Sequence, residues 1–107
     1  MKILLDACVP RPLRKFLPDH AVNTAQELTW GQLKNGDLLR AAETEFEALI
    51  PSDQKMKYQQ KVVGRKLAIL VLPTNDWPTI HSRAAEIAAK VTTLRPGDFV
   101  ELRWLNG

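Results

Sequence analysis

Leu67-Ala68-Ile69-Leu70-Val71-Leu72 is the most apolar run in the chain, six residues without a polar atom beyond the backbone. A strand half-exposed to water alternates polar and apolar residues, whereas one covered on both faces reads as continuous aliphatic sequence. This run therefore predicts a central strand of a mainly parallel sheet with helices packed on each side. The surrounding pattern agrees. Ile3-Leu4-Leu5 reads as a first strand ending at Asp6, Ala21-Val22-Asn23-Thr24 as a short second, and Ala48-Leu49-Ile50 as a third stopped by Pro51. Phe99 to Trp104 alternates like a half-exposed final strand.

Helical patterns fill the intervals. After Pro10 and Pro12, Leu13, Phe16 and Leu17 have the i, i+3, i+4 spacing of one apolar face. Asn35-Gly36-Asp37 is a start signal for a helix carrying Leu38, Leu39, Ala41, Ala42 and Phe46. Gln54 to Val63 reads as a polar helical segment ending at Gly64. Ile80, Ala84, Ile87, Ala88 and Val91 form the inner stripe of one long last helix. This strand–helix alternation predicts an α/β protein with three layers, α/β/α, in one domain spanning residues 1–107.

Composition narrows the function classes. With 45% hydrophobic and 25% charged residues, the chain can build a core without staples. Cys8, the single cysteine, has no partner for an internal disulfide, and no Cys/His spacing suggests zinc. No apolar run approaches the roughly 20 residues that span a bilayer. The first strand meets Asp6 too early for a signal peptide, so the expectation is a cytoplasmic protein without membrane contact. A net charge of +3 tolerates a nucleic-acid partner without requiring one.

Ligands of open α/β sheets bind beyond the carboxyl ends of the strands. Those ends here carry Asp6, then Ser52 and Asp53, then Asn75 and Asp76, with Asp37 at a helix start able to join from the side. Carboxylate oxygens gathered on one edge suit Mg²⁺ or Mn²⁺, which keep waters and leave room for phosphate. Without a cation the acids would repel one another and their pKa values would rise. Each also has a structural reading, because Asp37, Asp53 and Asp76 precede helical segments where an aspartate caps free N–H groups. Asp6, placed directly after a buried run, is the hardest to explain by capping. The basic stretch Lys55, Lys57, Lys61, Arg65 and Lys66 around Tyr58 is ordinarily a solvated helix face, yet it adjoins Asp53, where RNA phosphates would need neutralising. Arg11, Arg14 and Lys15 are a second basic cluster for the same edge.

Met1-Lys2-Ile3-Leu4-Leu5-Asp6 with Val9-Pro10, Asp37 after Asn35-Gly36, Pro51-Ser52-Asp53-Gln54, Tyr58-Gln59-Gln60 and Ile69-Leu70-Val71-Leu72-Pro73-Thr74-Asn75 together resemble the PIN-like family DUF5615, related to Mut7-C and VapC-type PIN domains. The resemblance runs to about Val100. It implies a PIN-like fold and a Mg²⁺- or Mn²⁺-dependent ribonuclease acting on an RNA substrate, the toxin of a toxin–antitoxin pair neutralised by a cognate antitoxin protein. By position, Asp6, Asp37 and Asp53 would be the catalytic, metal-binding acids, with Asp76 a weaker fourth ligand whose place Asn75 could take. Ser52, Lys55, Lys57, Lys61 and Asn75 would contact substrate. One departure is Lys55, which stands where the family has an acid or amide. A lysine there contacts phosphate but repels a cation, so a degenerate scaffold that only binds a partner is the first alternative. A receiver-like phosphoacceptor module, with Asp6, Asp53 and Thr74, is the second. It lacks the paired acids after the first strand, since Ala7 follows Asp6. The final strand could serve as a dimerising edge and give a homodimer.

Overall fold

The computed structural model describes residues 1–30, 35–52 and 66–104. The expected polar helix Gln54–Val63, with Asp53, Lys55, Lys57 and Lys61, lies outside the described residues. The described strands are β1 (Lys2–Leu5), β2 (Ala21–Thr24), β3 (Ala48–Ile50), β4 (Ala68–Val71) and β5 (Phe99–Glu101). They form one five-stranded sheet in the order β2-β1-β3-β4-β5, parallel throughout. Helix α1 (Asn35–Glu45) links β2 to β3, while α2 (Trp77–Ser82) and α3 (Ala84–Thr92) lie between β4 and β5. A 3-10 helix, Arg11–Phe16, follows β1, and its start is set by Pro10 and by the fixed φ of Pro12 in its first turn.

Aliphatic side chains alternate between two cores, one on each face of the sheet. Ile3, Leu5, Ala48, Ile50, Ala68 and Leu70 point to the face covered by the 3-10 helix, α2 and α3, where Leu13, Leu17, Ile80, Ile87 and Val91 meet them. Leu4, Leu49, Ile69 and Val71 point to the other, packing on Leu38, Leu39 and Ala42 of α1 and on Phe46 just after it. Every residue of β4 is buried, as its continuous aliphatic sequence requires. The three layers expected from the alternation are present.

Three details differ from the sequence expectation. β5 ends at Glu101; the Leu102 N–H still donates to the Val71 carbonyl at 2.9 Å, and half-buried Leu102 and Trp104 rest on the core beyond the strand. The last helix is two helices, since Arg83 (φ −112°, ψ 12°) leaves helical geometry. Its guanidinium pairs with Glu86 and lies 5.7 Å from the Trp104 ring centre. Leu13 and Leu17 are buried as expected, but Phe16 remains 37% exposed.

The crossovers also carry information. The β1→β2 and β4→β5 connections run toward opposite edges of the sheet but pack on the same face, so they have opposite hands. Parallel crossovers share one hand in about 98% of cases. A uniformly wound sheet of this strand order would place α2 and α3 beside α1. Before β5, Gly97 (φ 85°) takes a left-handed turn conformation that glycine adopts without steric cost, and Asp98 closes the turn by accepting from the Arg95 N–H at 2.9 Å.

Candidate metal centre

Because the strands are parallel, all their carboxyl ends lie on one edge. Chain order reverses at β1: the next strand in sequence, β2, pairs on one side and β3 on the other. In open α/β sheets a crevice for ligands forms where the strand order reverses, here between the carboxyl ends of β1 and β3. Asp6 stands at that crevice. Its backbone N–H donates to the Ile50 carbonyl at 3.1 Å, which extends the pairing one residue past β1. The Asp6 carbonyl accepts from the Val9 N–H at 3.0 Å and turns the chain sharply away. Its half-buried carboxylate accepts from the Ala7 N–H at Oδ1 (2.8 Å) and from the Cys8 thiol at Oδ2 (3.7 Å). On the neighbouring strand end the Pro51 carbonyl accepts from the Leu72 N–H at 2.8 Å, and half-buried Ser52 follows. Asp6 and Ser52 are thus brought to adjacent strand ends at the switch point.

The other sequence-predicted residues are placed differently. Topology puts the start of α1, and with it Asp37, on the same edge, since α1 must carry the chain from the carboxyl end of β2 back to the amino end of β3. The Asp37 carboxylate pairs with Arg40 one turn on, with 56% of its side chain exposed. Asp76 Oδ2 accepts from the Thr79 N–H at 3.2 Å and the Thr79 hydroxyl at 2.7 Å, so this carboxylate is the N-cap of α2. Asn75 beside it is exposed. Asp53, Lys55, Lys57 and Lys61 lie outside the described residues. Among the described residues no three His, Cys, Asp or Glu side chains form a group able to hold a metal.

Capping therefore accounts for Asp76. Asp76→Ala should cost about 1 kcal/mol, the usual value of an N-cap. Urea denaturation of the variant measures it, and a cost near zero would show that the cap carries no stability.

Residues that the sequence reading passed over also border the crevice. Gln26, in the loop after β2, donates from Nε2 to the Ala7 carbonyl at 3.5 Å. That loop is fixed by a reciprocal pair: the Thr24 N–H donates to Glu27 Oε1 (3.0 Å), and the Glu27 N–H donates to the Thr24 hydroxyl (3.1 Å). Thr-x-x-Glu is the signature of this capping box and was visible at Thr24–Glu27. Arg14 adds an ion pair to Glu27 at 2.7 Å and so ties the 3-10 helix to the loop. The Thr24 N–H holds the Glu27 carboxyl below the ordinary glutamate value; burial opposes this, while the Thr24 side chain and the Arg14 charge reinforce it. A depressed folded pKa contributes stability at pH above the unfolded value and loses it as pH falls through the folded one. The stability gap between the wild type and Glu27→Gln should accordingly shrink from about pH 6 to below 4.5, followed by thermal melts at each pH. A gap that stays constant would place the contribution elsewhere.

Farther along the edge, Val71, Pro73, Glu101, Leu102, Arg103 and Trp104 line a cavity of about 280 Å³. One carboxylate beside an arginine does not suit a divalent cation, so the switch point is the better metal position. No described helix is long and apolar enough to cross a membrane. No family model matches the chain, and comparisons with curated proteins and with solved structures also find no match.

Proposed function

We propose that this chain is a Mg²⁺- or Mn²⁺-dependent ribonuclease of the DUF5615 PIN-like kind, acting at the crevice between β1 and β3. The observation that carries the reading is Asp6: a half-buried carboxylate at the one point of the sheet edge where strand order reverses, one strand away from Ser52. The donor set fits a hard cation in kind. Asp6 offers carboxylate oxygen, Asp53 follows Ser52 directly in sequence, and Asp37 starts from the same edge. The Asp37–Arg40 pair is solvent-exposed, and such pairs contribute about 0–1 kcal/mol, too little to withhold Asp37 from a cation.

In this reading Asp6 and Asp53 hold the ion, and Asp37 completes the site or orients water. What a bound ion supplies is Lewis-acid activation of the phosphate and of a water. The water oxygen adds to phosphorus, the bond to the leaving ribose oxygen breaks, and that oxygen departs with a proton. Ser52, Lys55, Lys57 and Lys61 are the groups proposed to contact the phosphates, with Asn75 farther along the edge. A toxin role, with an antitoxin protein as partner, rests on the sequence resemblance alone.

Two carboxylates already engaged, Asp37 with Arg40 and Asp76 as a cap, favour the scaffold alternative as second reading. The strand order is also that of flavodoxin-like and receiver sheets, but the opposite hand of the last crossover and the Ala7 after Asp6 speak against a receiver. A mixed pool of labelled RNA with Mn²⁺ tests the proposal. Cleavage by the wild type, lost in a folded Asp6→Asn/Asp53→Asn double variant, is expected. Equal behaviour of the two proteins would leave the scaffold reading.

A further inference from the structure

Phe16, Trp77 and His81 form a surface cluster of three rings. Their centroids lie 6.2 Å apart for Phe16–Trp77, 5.3 Å for Phe16–His81 and 5.4 Å for Trp77–His81, all tilted or edge-on. Phe16 is the one exposed large hydrophobic side chain among the described residues, His81 is exposed, and half-buried Trp77 packs against the core. Edge contacts of this kind hold each ring in orientation, which lowers the entropy lost when a ligand docks. Trp77 opens α2 immediately after the loop leaving β4, so the cluster borders the carboxyl edge that carries Asp6 and Ser52. The 3-10 helix that ends in Phe16 also presents exposed Arg11 and Lys15, while its Arg14 is paired with Glu27.

We propose that this cluster stacks an unpaired base of single-stranded RNA while the neighbouring cations hold its backbone. The proposal rests on the ribonuclease reading and names the form of the substrate. Aromatic rings beside a basic track are the general device for binding single strands, because every base has a π-face. A protein partner is the poorer fit. Stable protein interfaces bury about 1,200–2,000 Å², and no second large apolar side chain is exposed around Phe16 among the described residues.

Anisotropy of a short labelled single-stranded RNA, in EDTA so that cleavage is off, tests the proposal. Phe16→Ala should weaken binding about tenfold and Phe16→Tyr should not, stacking being worth that order per base. An oligonucleotide with abasic sites should bind the wild type and Phe16→Ala equally. Thermal melts check that both variants fold. Equal affinity of wild type and Phe16→Ala for normal RNA overturns the proposal, as does an equal loss on the abasic strand. A change of oligomeric mass in Phe16→Ala without a change in RNA affinity also overturns it and assigns the surface to a second copy. Cleavage with Mn²⁺, run in parallel, separates the two readings: stacking without cleavage removes the nuclease, and cleavage without stacking removes the platform.

Discussion

Asp6→Asn is expected to lower metal-dependent RNA cleavage by about 10²–10³-fold, the scale on which single electrostatic groups in active sites act. Asparagine has the shape of aspartate and retains an acceptor for the Ala7 N–H that Asp6 Oδ1 accepts at 2.8 Å. It removes the negative charge and leaves the turn, so folding and catalysis are tested separately. By the same argument Asp76→Asn keeps an acceptor for the Thr79 N–H and should leave cleavage within a few-fold of the wild type. Kinetics on one RNA at saturating Mn²⁺ give both values. A fully active Asp6→Asn would remove the residue on which the proposed site is built.

The second large effect is on stability. Leu70 is fully buried in β4, with β3 on one side and β5 on the other, and belongs to the core that includes Ile3, Leu5, Ile50 and Ile87. Truncation to alanine removes buried methyl groups and leaves a void that strands fixed on both sides cannot close. Such changes cost about 2–5 kcal/mol, a large part of the roughly 5–15 kcal/mol that keeps a domain folded. Leu70→Ala should therefore shift the urea midpoint strongly with little change in slope, whereas the partly exposed Phe16→Ala should shift it far less. A cost below about 1 kcal/mol for Leu70→Ala would contradict the two-core description.

Strand positions were legible because burial on one or both faces writes itself into the period of the sequence. The all-aliphatic stretch around Leu70 reads as a strand covered on both faces, and Ile3-Leu4-Leu5 ends where its polar successor begins. Direction and partner are not written there. Nothing in the residues of α2 and α3 says that they return on the face of the 3-10 helix, which is why the opposite hand of that crossover appears only in three dimensions. The break at Arg83 was hidden because Ile80, Ala84, Ile87 and Val91 keep one stripe through it. Carboxylates at element ends are ambiguous for a physical reason: a helix N-terminus and a divalent cation both attract negative oxygen. Thr79 resolves Asp76 as a cap and Arg40 pairs with Asp37, whereas Asp6 stands at the strand end, where its carboxylate accepts from the Ala7 N–H and the Cys8 thiol. Phe16 had the spacing of a core residue, and its ring instead meets Trp77 and His81 at the surface.

A calorimetric titration of Mn²⁺ into the wild type, Asp6→Asn and Asp76→Asn is the most direct test of a metal centre at the switch point. The account predicts one saturable binding event in the wild type, retained in Asp76→Asn and weakened by at least about tenfold in Asp6→Asn, since each lost carboxylate removes a charged oxygen ligand. Equal Mn²⁺ affinity in all three proteins, or no binding to the wild type, would contradict it.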